Sequence, residues 1–388
     1  PFIMVFGGIG FMFGTGGSAL VAKTMGEGDK HRANQYFTMI IAATLICGVI
    51  ISTLGVIFME PISVFLGADA EMLPDCVLYG RIVLAFNTAY MLQNVFQSFL
   101  IAAEKPKLGL WITVAAGVTN MALDALFMAV FHWGVAGAAI ATGISQIVGG
   151  VLPLVYFLRP NSSLLQLTKT KLELRPILQA SGNGASELVS NVTASVVGML
   201  YNFQLLRLAG QNGVAAFGVL MYVEFIFAAV FIGYAIGCAP IVSYHFGAGN
   251  RVELKNLLKK SVLLMGVGGL AMVGIAQALA IPMARLFVGY DDVLCQMTVH
   301  AFRISTVAFA LVGFNIFNSS FFTALNDGAV SAIISFLRTF VFKLSAVLLL
   351  PVIWELDGIW WAGVAAEICA FGLGLAFLLG KRKKYHYM

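Results

Sequence analysis

Read from the amino terminus, the chain is a succession of long apolar runs parted by short polar interruptions. Runs of the length a helix needs to cross a bilayer, about 20 residues, fall near 1–24, 37–59, 78–103, 108–131, 134–158, 183–207, 213–241, 261–286, 299–325, 329–353 and 358–380. The pattern predicts eleven membrane-spanning helices. It lacks the short alternating strands of a membrane barrel. Two of the interruptions match each other. Residues 25–34 read Met-Gly-Glu-Gly-Asp-Lys-His-Arg-Ala-Asn, and residues 246–255 read Phe-Gly-Ala-Gly-Asn-Arg-Val-Glu-Leu-Lys. Both are Gly-x-Gly-Asp/Asn followed by basic residues, at an offset of 247 − 26 = 221. That offset also carries Pro61 onto Pro282, Phe96 onto Phe317, and Asn94-Val-Phe-Gln-Ser98 onto Asn315-Ile-Phe-Asn-Ser319. Slightly larger offsets carry Arg81 onto Arg303 and Gly134-Val onto Gly358-Ile. A repeat of this period is a duplication of the half-molecule.

The duplication organises the chain. The longest polar stretch, 159–178, reads as a cytoplasmic linker between a first lobe over 1–158 and a second over 179–380, with a basic cytoplasmic tail at 381–388. Five spans precede the linker and six follow it. A partner for 183–207 would lie upstream of residue 1, so the expectation is that the first lobe's first helix is missing here and that the intact protein has six plus six. Six spans separate the two Gly-x-Gly loops, an even number, which predicts that both loops face the same side. The expected fold is an all-α polytopic membrane protein of two pseudo-symmetric helical lobes, five plus six helices in this sequence.

Composition agrees. Of 388 residues, 60% are hydrophobic and 11% charged, where a soluble domain has about 25% charged. The net charge of +5 reads as topology. With alternating spans, Lys23, Lys30, Arg32, Lys105, Lys107, Arg251, Lys255 and Lys381 to Lys384 gather on one side. The opposite loops carry few basic residues, Arg81, Arg207 and Arg285, beside the acids Asp69, Glu71, Asp75, Asp291, Asp292, Glu355 and Asp357. That is the positive-inside pattern, which places the C-terminus in the cytoplasm and leaves nothing for nucleic acid to explain. The five cysteines are scattered and unpaired in spacing, as packing residues are. The glycines of 1–24 follow no predicted strand and suit helix packing rather than a nucleotide loop. No His-Glu-x-x-His and no Gly-x-x-x-x-Gly-Lys-Ser/Thr occurs, so neither a metalloenzyme nor an ATP motor is indicated.

Ionisable side chains at membrane depth are costly and are functional candidates by default. In 183–207, Glu187, Asn191, Ser195, Gly198 and Asn202 fall on one helical face, a polar stripe suited to a cation site. The alternative is a hydrogen-bonded seam between helices, which explains the amides and the serine better than Glu187. Glu224 and Glu367 also lie within spans, each able to hold a cation or substrate or to neutralise Arg338 and Lys343. In the first lobe, Asn87, Tyr90, Asn94 and Gln97 form one stripe, and Thr113, Gly117, Asn120 and Asp124 another.

Four motifs carry a family resemblance across essentially the whole chain. They are Gly26-Glu-Gly-Asp29 with its echo Gly247-Ala-Gly-Asn250; Asn120-Met-Ala-Leu-Asp124 followed by Leu126-Phe127; Gly134-Val-Ala-Gly-Ala-Ala-Ile-Ala-Thr142; and Gly233-Tyr-Ala-Ile-Gly-Cys-Ala-Pro240 leading into Ser243-Tyr244. In this order the chain resembles the multidrug and toxic compound extrusion (MATE) family, in its bacterial branch. The resemblance implies two lobes around a central cavity in the bacterial cytoplasmic membrane, and export of small organic cations against an inward Na⁺ or H⁺ gradient. No cofactor is implied, and a monomer in the lipid bilayer is expected. The expected coupling residues are Glu187, with Na⁺ or H⁺ as its ligand, and Asn191, Asn202, Glu224, Asn315 and Asn318. The expected cavity residues are Asn87, Tyr90, Asn94, Gln97, Asn120, Asp124 and Glu367. Asn315 and Asn318 stand where sodium-coupled relatives carry a carboxylate, a departure that leaves the coupling ion open. A lipid-linked saccharide flippase of the wider superfamily is the rival reading, and Arg338 and Lys343 are its support.

Overall fold

The computed structural model describes residues 2–387, with Phe2 and Ile3 described in backbone only. The described chain is helical throughout its ordered elements. These are α1 (Phe2–Gly26), α2 (Lys30–Ile57), α3 (Met59–Phe65), α4 (Leu73–Ala85), α5 (Asn87–Ala102), α6 (Pro106–Asp124), α7 (Gly134–Leu158) and α8 (Leu174–Asn183). They continue with α9 (Ala185–Gly247), α10 (Arg251–Val288), α11 (Asp292–Ser305), α12 (Phe309–Ala324), α13 (Gly328–Phe336) and α14 (Lys343–Tyr385). A π-helical turn, Ala125–Val130, extends α6, and another, Leu337–Phe342, joins α13 to α14.

Eight continuous helical stretches among the described residues are long and apolar enough to span a membrane. Two of them are double. The 63 residues of α9 would make a rod of about 95 Å, three bilayer cores long. The rod is broken at Gly210, at φ 61°. The helix through α13 and α14 is broken at Trp354 and Glu355, the latter at φ 49°. A further stretch, α4 with α5, is interrupted at Phe86 and so falls outside the eight. Hence 8 + 2 + 1 = 11 spanning segments, as the hydrophobic runs predict. Several extend beyond the apolar runs: α10 begins at Arg251 rather than near 261, because Asn250 caps it and its basic first turns are good helix formers.

Packing divides the chain between Gly184 and Ala185. The division keeps all of α8 with the first unit, beyond the boundary of 179 expected from sequence. α8 lies on α1 through small residues, Gly16 meeting Ala180 and Gly184 backbone to backbone. Such close approach is how helices associate where lipid supplies no hydrophobic drive. The first unit's core is aromatic, with Phe37 against Phe99 and Phe157 at ring distances of 4.9 Å. Its linker strand is pinned to α2, the Gln166 amide donating to Asn34 Oδ1 and the Thr168 amide to Thr38 Oγ1, both at 3.0 Å.

The duplication is visible in the turns. Gly28 and Gly249 both take positive φ, 90° and 66°, ending α1 and α9 in the left-handed conformation that only glycine adopts without cost. The next residue in each case, Asp29 or Asn250, then caps the following helix, accepting from the amide of Arg32 or Glu253. Glu104 and Asn326, 222 residues apart, both sit at φ 58°. Asp69 and Asp291, again 222 apart, make the same turn, each Oδ1 accepting from the amides two and three residues on, and Asp291 thereby caps α11. One turn chemistry is therefore used twice, unit by unit.

Candidate functional site in the second unit

Within the second unit, the buried charge is concentrated where α12, the π-turn Leu337–Phe342 and the second half of α14 meet. Glu367 is 4% exposed. Arg338 grips it with both forks, Nε to Oε1 at 3.0 Å and Nη2 to Oε1 at 2.9 Å, with Nε also 3.1 Å from Oε2. Asn315 completes the set, its Nδ2 donating to Glu367 Oε2 at 2.7 Å and to the Glu367 carbonyl at 2.9 Å. A buried carboxylate is tolerable only when paired and hydrogen-bonded, and this one is both. Arg338 lies in a π-helical turn, a device that often marks a functional position because it displaces one residue from the regular ladder.

Around this pair stand groups whose charge is less fully met. Glu187 and Glu224 are half-buried and make no side-chain hydrogen bond or ion pair among the described residues. Arg338 is in electrostatic reach of Glu187, and Lys343 and Glu367 of Glu224. Tyr201, 7% exposed, stacks on Phe217 at 4.7 Å and shares the field of Glu224 and Glu367. Three carboxyl groups therefore share two cations, one acid more than there are cations (3 − 2 = 1) to meet it inside the unit.

A seam of hydroxyls joins the helices that carry these groups. Ser319 Oγ lies 2.9 Å from Ser331 Oγ and 2.8 Å from Ser335 Oγ. Thr323 bonds Ser331 at 2.7 Å, and Thr193 of α9 bonds Thr339 at 2.6 Å. Asn318 is held flat against Gly374, where a Cβ would fall 2.0 Å from its Nδ2. Its Oδ1 is buried without a hydrogen bond.

The polar stripe on α9 is bonded largely along its own helix. Asn191 donates back to the Glu187 carbonyl at 2.8 Å, and Ser195 to the Asn191 carbonyl at 3.2 Å. These are local bonds of the kind polar residues make along their own helix. Asn202 is exposed. The face that packs is instead Ser186, Thr193, Val197, Tyr201 and Leu205, displaced by roughly a quarter-turn at 100° per residue. Burial follows the fit against α12 and α13, and the polar stripe lies along its edge. Of the expected coupling residues, Asn315 is brought onto Glu367; Glu187 and Glu224 are brought into their shared field; Asn191 and Asn202 are not.

In the first unit, Tyr90 and Asn94 stand on α5 where it faces α1, and Asn87 is buried on the same helix, its Nδ2 3.6 Å from Met91 Sδ. Asn94 Nδ2 reaches the Gly7 carbonyl at 3.4 Å, and Tyr90 fills the space a side chain at Gly7 would need. Gln97 is half-buried on the same helix. Asn120 and Asp124 stand apart from them on α6, and Asp124 Oδ1 is buried without a hydrogen bond.

The MatE family profile matches residues 1–126 and again 188–348, once in each half. The chain belongs to the MatE family of transporters. Among curated relatives, the multidrug export protein MepA of Staphylococcus saprophyticus is 23% identical over 98% of this chain and 84% of its own length. MepA of Staphylococcus aureus is 20% identical with the same coverage. Two solved structures share the fold. A MATE crystal structure in complex with MaL6 superposes with a TM-score of 0.95 at 21% identity, covering all of this chain and 88% of its own. An outward-facing multidrug resistance MATE transporter of the MOP superfamily does so at 0.94 and 22% identity, covering all of this chain and 87% of its own. Two pseudo-symmetric helical lobes are the architecture of this MatE chain.

Proposed function

We propose that this protein is a secondary antiporter that exports small organic cations in exchange for Na⁺ or H⁺, with the second unit's carboxylates as the coupling group. The observation that carries the reading is the excess of carboxyl groups over cations around Arg338. Glu367 is already neutralised, so Glu187 and Glu224 are the carboxylates with capacity for a cation or a proton. A cation or proton on Glu187 removes its attraction for Arg338 and leaves the Arg338–Glu367 pair undivided. Its departure pulls Arg338 between two acids. The two states differ in the placement of an element that spans the unit, which is how occupancy of one site biases a conformational equilibrium. Asn315 and Asn318 supply amide groups beside this centre. Asn87, Tyr90, Asn94, Gln97, Asn120 and Asp124 are proposed as first-unit cavity residues, and the export names of the MepA relatives support drugs as the substrate class.

The flippase reading needs free cations for a phosphate. Arg338 is committed to Glu367 in bidentate fashion and Lys343 lies within the field of Glu224 and Glu367, so the antiporter is the better fit. The test is Glu187→Gln, which keeps the shape and removes the charge and the titration. Protein in liposomes should remain folded and lose gradient-driven export of a cationic dye by at least tenfold, whereas Asn202→Ala, on the exposed face, should export at nearly the wild-type rate. Wild-type export by Glu187→Gln would refute the assignment.

A further inference from the structure

We infer that the second unit carries a phosphate-binding site at the end remote from its C-terminal tail, between the end of α10 and the start of α11. A cavity of about 460 Å³ opens there, lined by Arg285, Arg303, His300, Gln296 and Asp292 over an apolar floor that includes Ile281 and Val299. Its volume is within the range that holds a small-molecule ligand. Neither arginine makes an ion pair within 4 Å among the described residues. The nearby acids are largely spoken for. Asp291 spends its carboxylate on the amides of Val293 and Leu294 at the start of α11. Asp357 holds His300 Nε2 at 2.8 Å. Asp292 alone lies on the rim, and two guanidiniums exceed it.

The duplication supplies an internal control. The paired turn aspartates Asp69 and Asp291 set α4 against α11 at an offset of 222, so Pro74 and Leu78 of the first unit stand where Gln296 and His300 stand in the second. The place of Arg285 falls on Ser63 or Val64. Arg81 and Arg303 are the common pair, and they are used differently. In the first unit, Arg81 Nε donates to the Val56 carbonyl at 3.3 Å. At the offset of 221 that carries Pro61 onto Pro282, the position equivalent to Val56 is Gln277, and there the bond runs the other way, Gln277 Nε2 donating to the Arg303 carbonyl at 2.8 Å. The glutamine makes the helix-to-helix tie and releases the guanidinium to the cavity. Snorkelling of a lone arginine to the interface requires neither this exchange nor a second arginine across a cavity. Two planar guanidiniums over an apolar floor suit the phosphate of an amphiphile, since arginine grips phosphate through paired parallel hydrogen bonds. The source is the headgroup of an anionic phospholipid or free phosphate.

This site stands independently of the transport reading. The test uses the whole chain in detergent, followed by native mass spectrometry with phosphatidylglycerol or phosphatidylcholine and by melting temperature with inorganic phosphate. The wild type should retain one phosphatidylglycerol more tightly than phosphatidylcholine. Arg285→Gln with Arg303→Gln should weaken that by at least tenfold, Arg285→Gln alone by several-fold, and Arg81→Gln not at all. Displacement of the lipid by millimolar inorganic phosphate would place the recognition in the phosphate alone; resistance to it would assign a lipid headgroup. Equal retention of the two lipids with no phosphate effect, or retention unchanged in the double variant with a wild-type melting temperature, would overturn the site.

Discussion

Glu367 shows what a single buried charge demands. Removing one member of a buried pair leaves the other without compensation, at a cost of about 3–5 kcal/mol. Glu367→Gln and Arg338→Gln should each lower the melting temperature strongly, and the double variant should lose less than the sum of the two. Additive losses would show that the pair is not coupled. Gly374→Ala would drive a methyl group into the Asn318 amide, and overpacking of that kind costs about 1–3 kcal/mol. Asp327 answers to pH. Burial alone would push its carboxyl up, but the Tyr385 hydroxyl, Lys384, the Val330 amide and Lys381 outweigh burial and hold it below the usual carboxylate range. Its folded pKa is thus lower than its unfolded one, so its contribution is complete above about pH 3.9 and is lost as pH falls through the folded value. Asp327→Asn should cost about 1–2 kcal/mol at pH 7, by the loss of charge-assisted bonds. It should also remove part of the fall in melting temperature between pH 5 and pH 3; an unchanged acid limb would contradict this.

Among the elements, α9 teaches most about what a sequence reveals. Its two spans were legible in the apolar runs, because hydrophobic length is a local property. Its inward face was not, because Glu187, Asn191, Ser195 and Asn202 satisfy the polar half of the pattern while Ser186, Thr193 and Tyr201 do the packing. Hydroxyls that bond across helices are interior residues here, so polarity and exposure part company. Tyr201 left a weak signal, lying at helical spacing with Val197 and Leu205. The Arg338–Glu367 pair was named as a possibility, but 29 residues separate its members and no local rule brings them together. The loops were the reverse case. Gly28 and Gly249, each followed by a capping Asp or Asn, carry their geometry in their residue types. Alanine at either should cost about 1–2 kcal/mol for a left-handed residue, and the two losses, read by melting temperature, should match within error. A loss at one position and none at the other would mean the turns are not equivalent.

For the whole molecule, the duplication is the organising fact, and it was readable because caps and glycines tolerate little exchange. The halves differ in their interior polar groups: a committed ion pair beside half-buried carboxylates in the second unit, amide-lined helices in the first. In the proposed exchange, the conformation that holds the coupling ion differs from the one that holds the drug. Linkage then requires that ion and drug change each other's affinity by the same factor. The measurement is the affinity of the reconstituted protein for a cationic dye, with Na⁺ and pH varied separately. One of the two, Na⁺ or acid, should weaken dye binding by at least fivefold in the wild type, and this dependence should disappear in Glu187→Gln. Dye affinity indifferent to both ions in the wild type would contradict it.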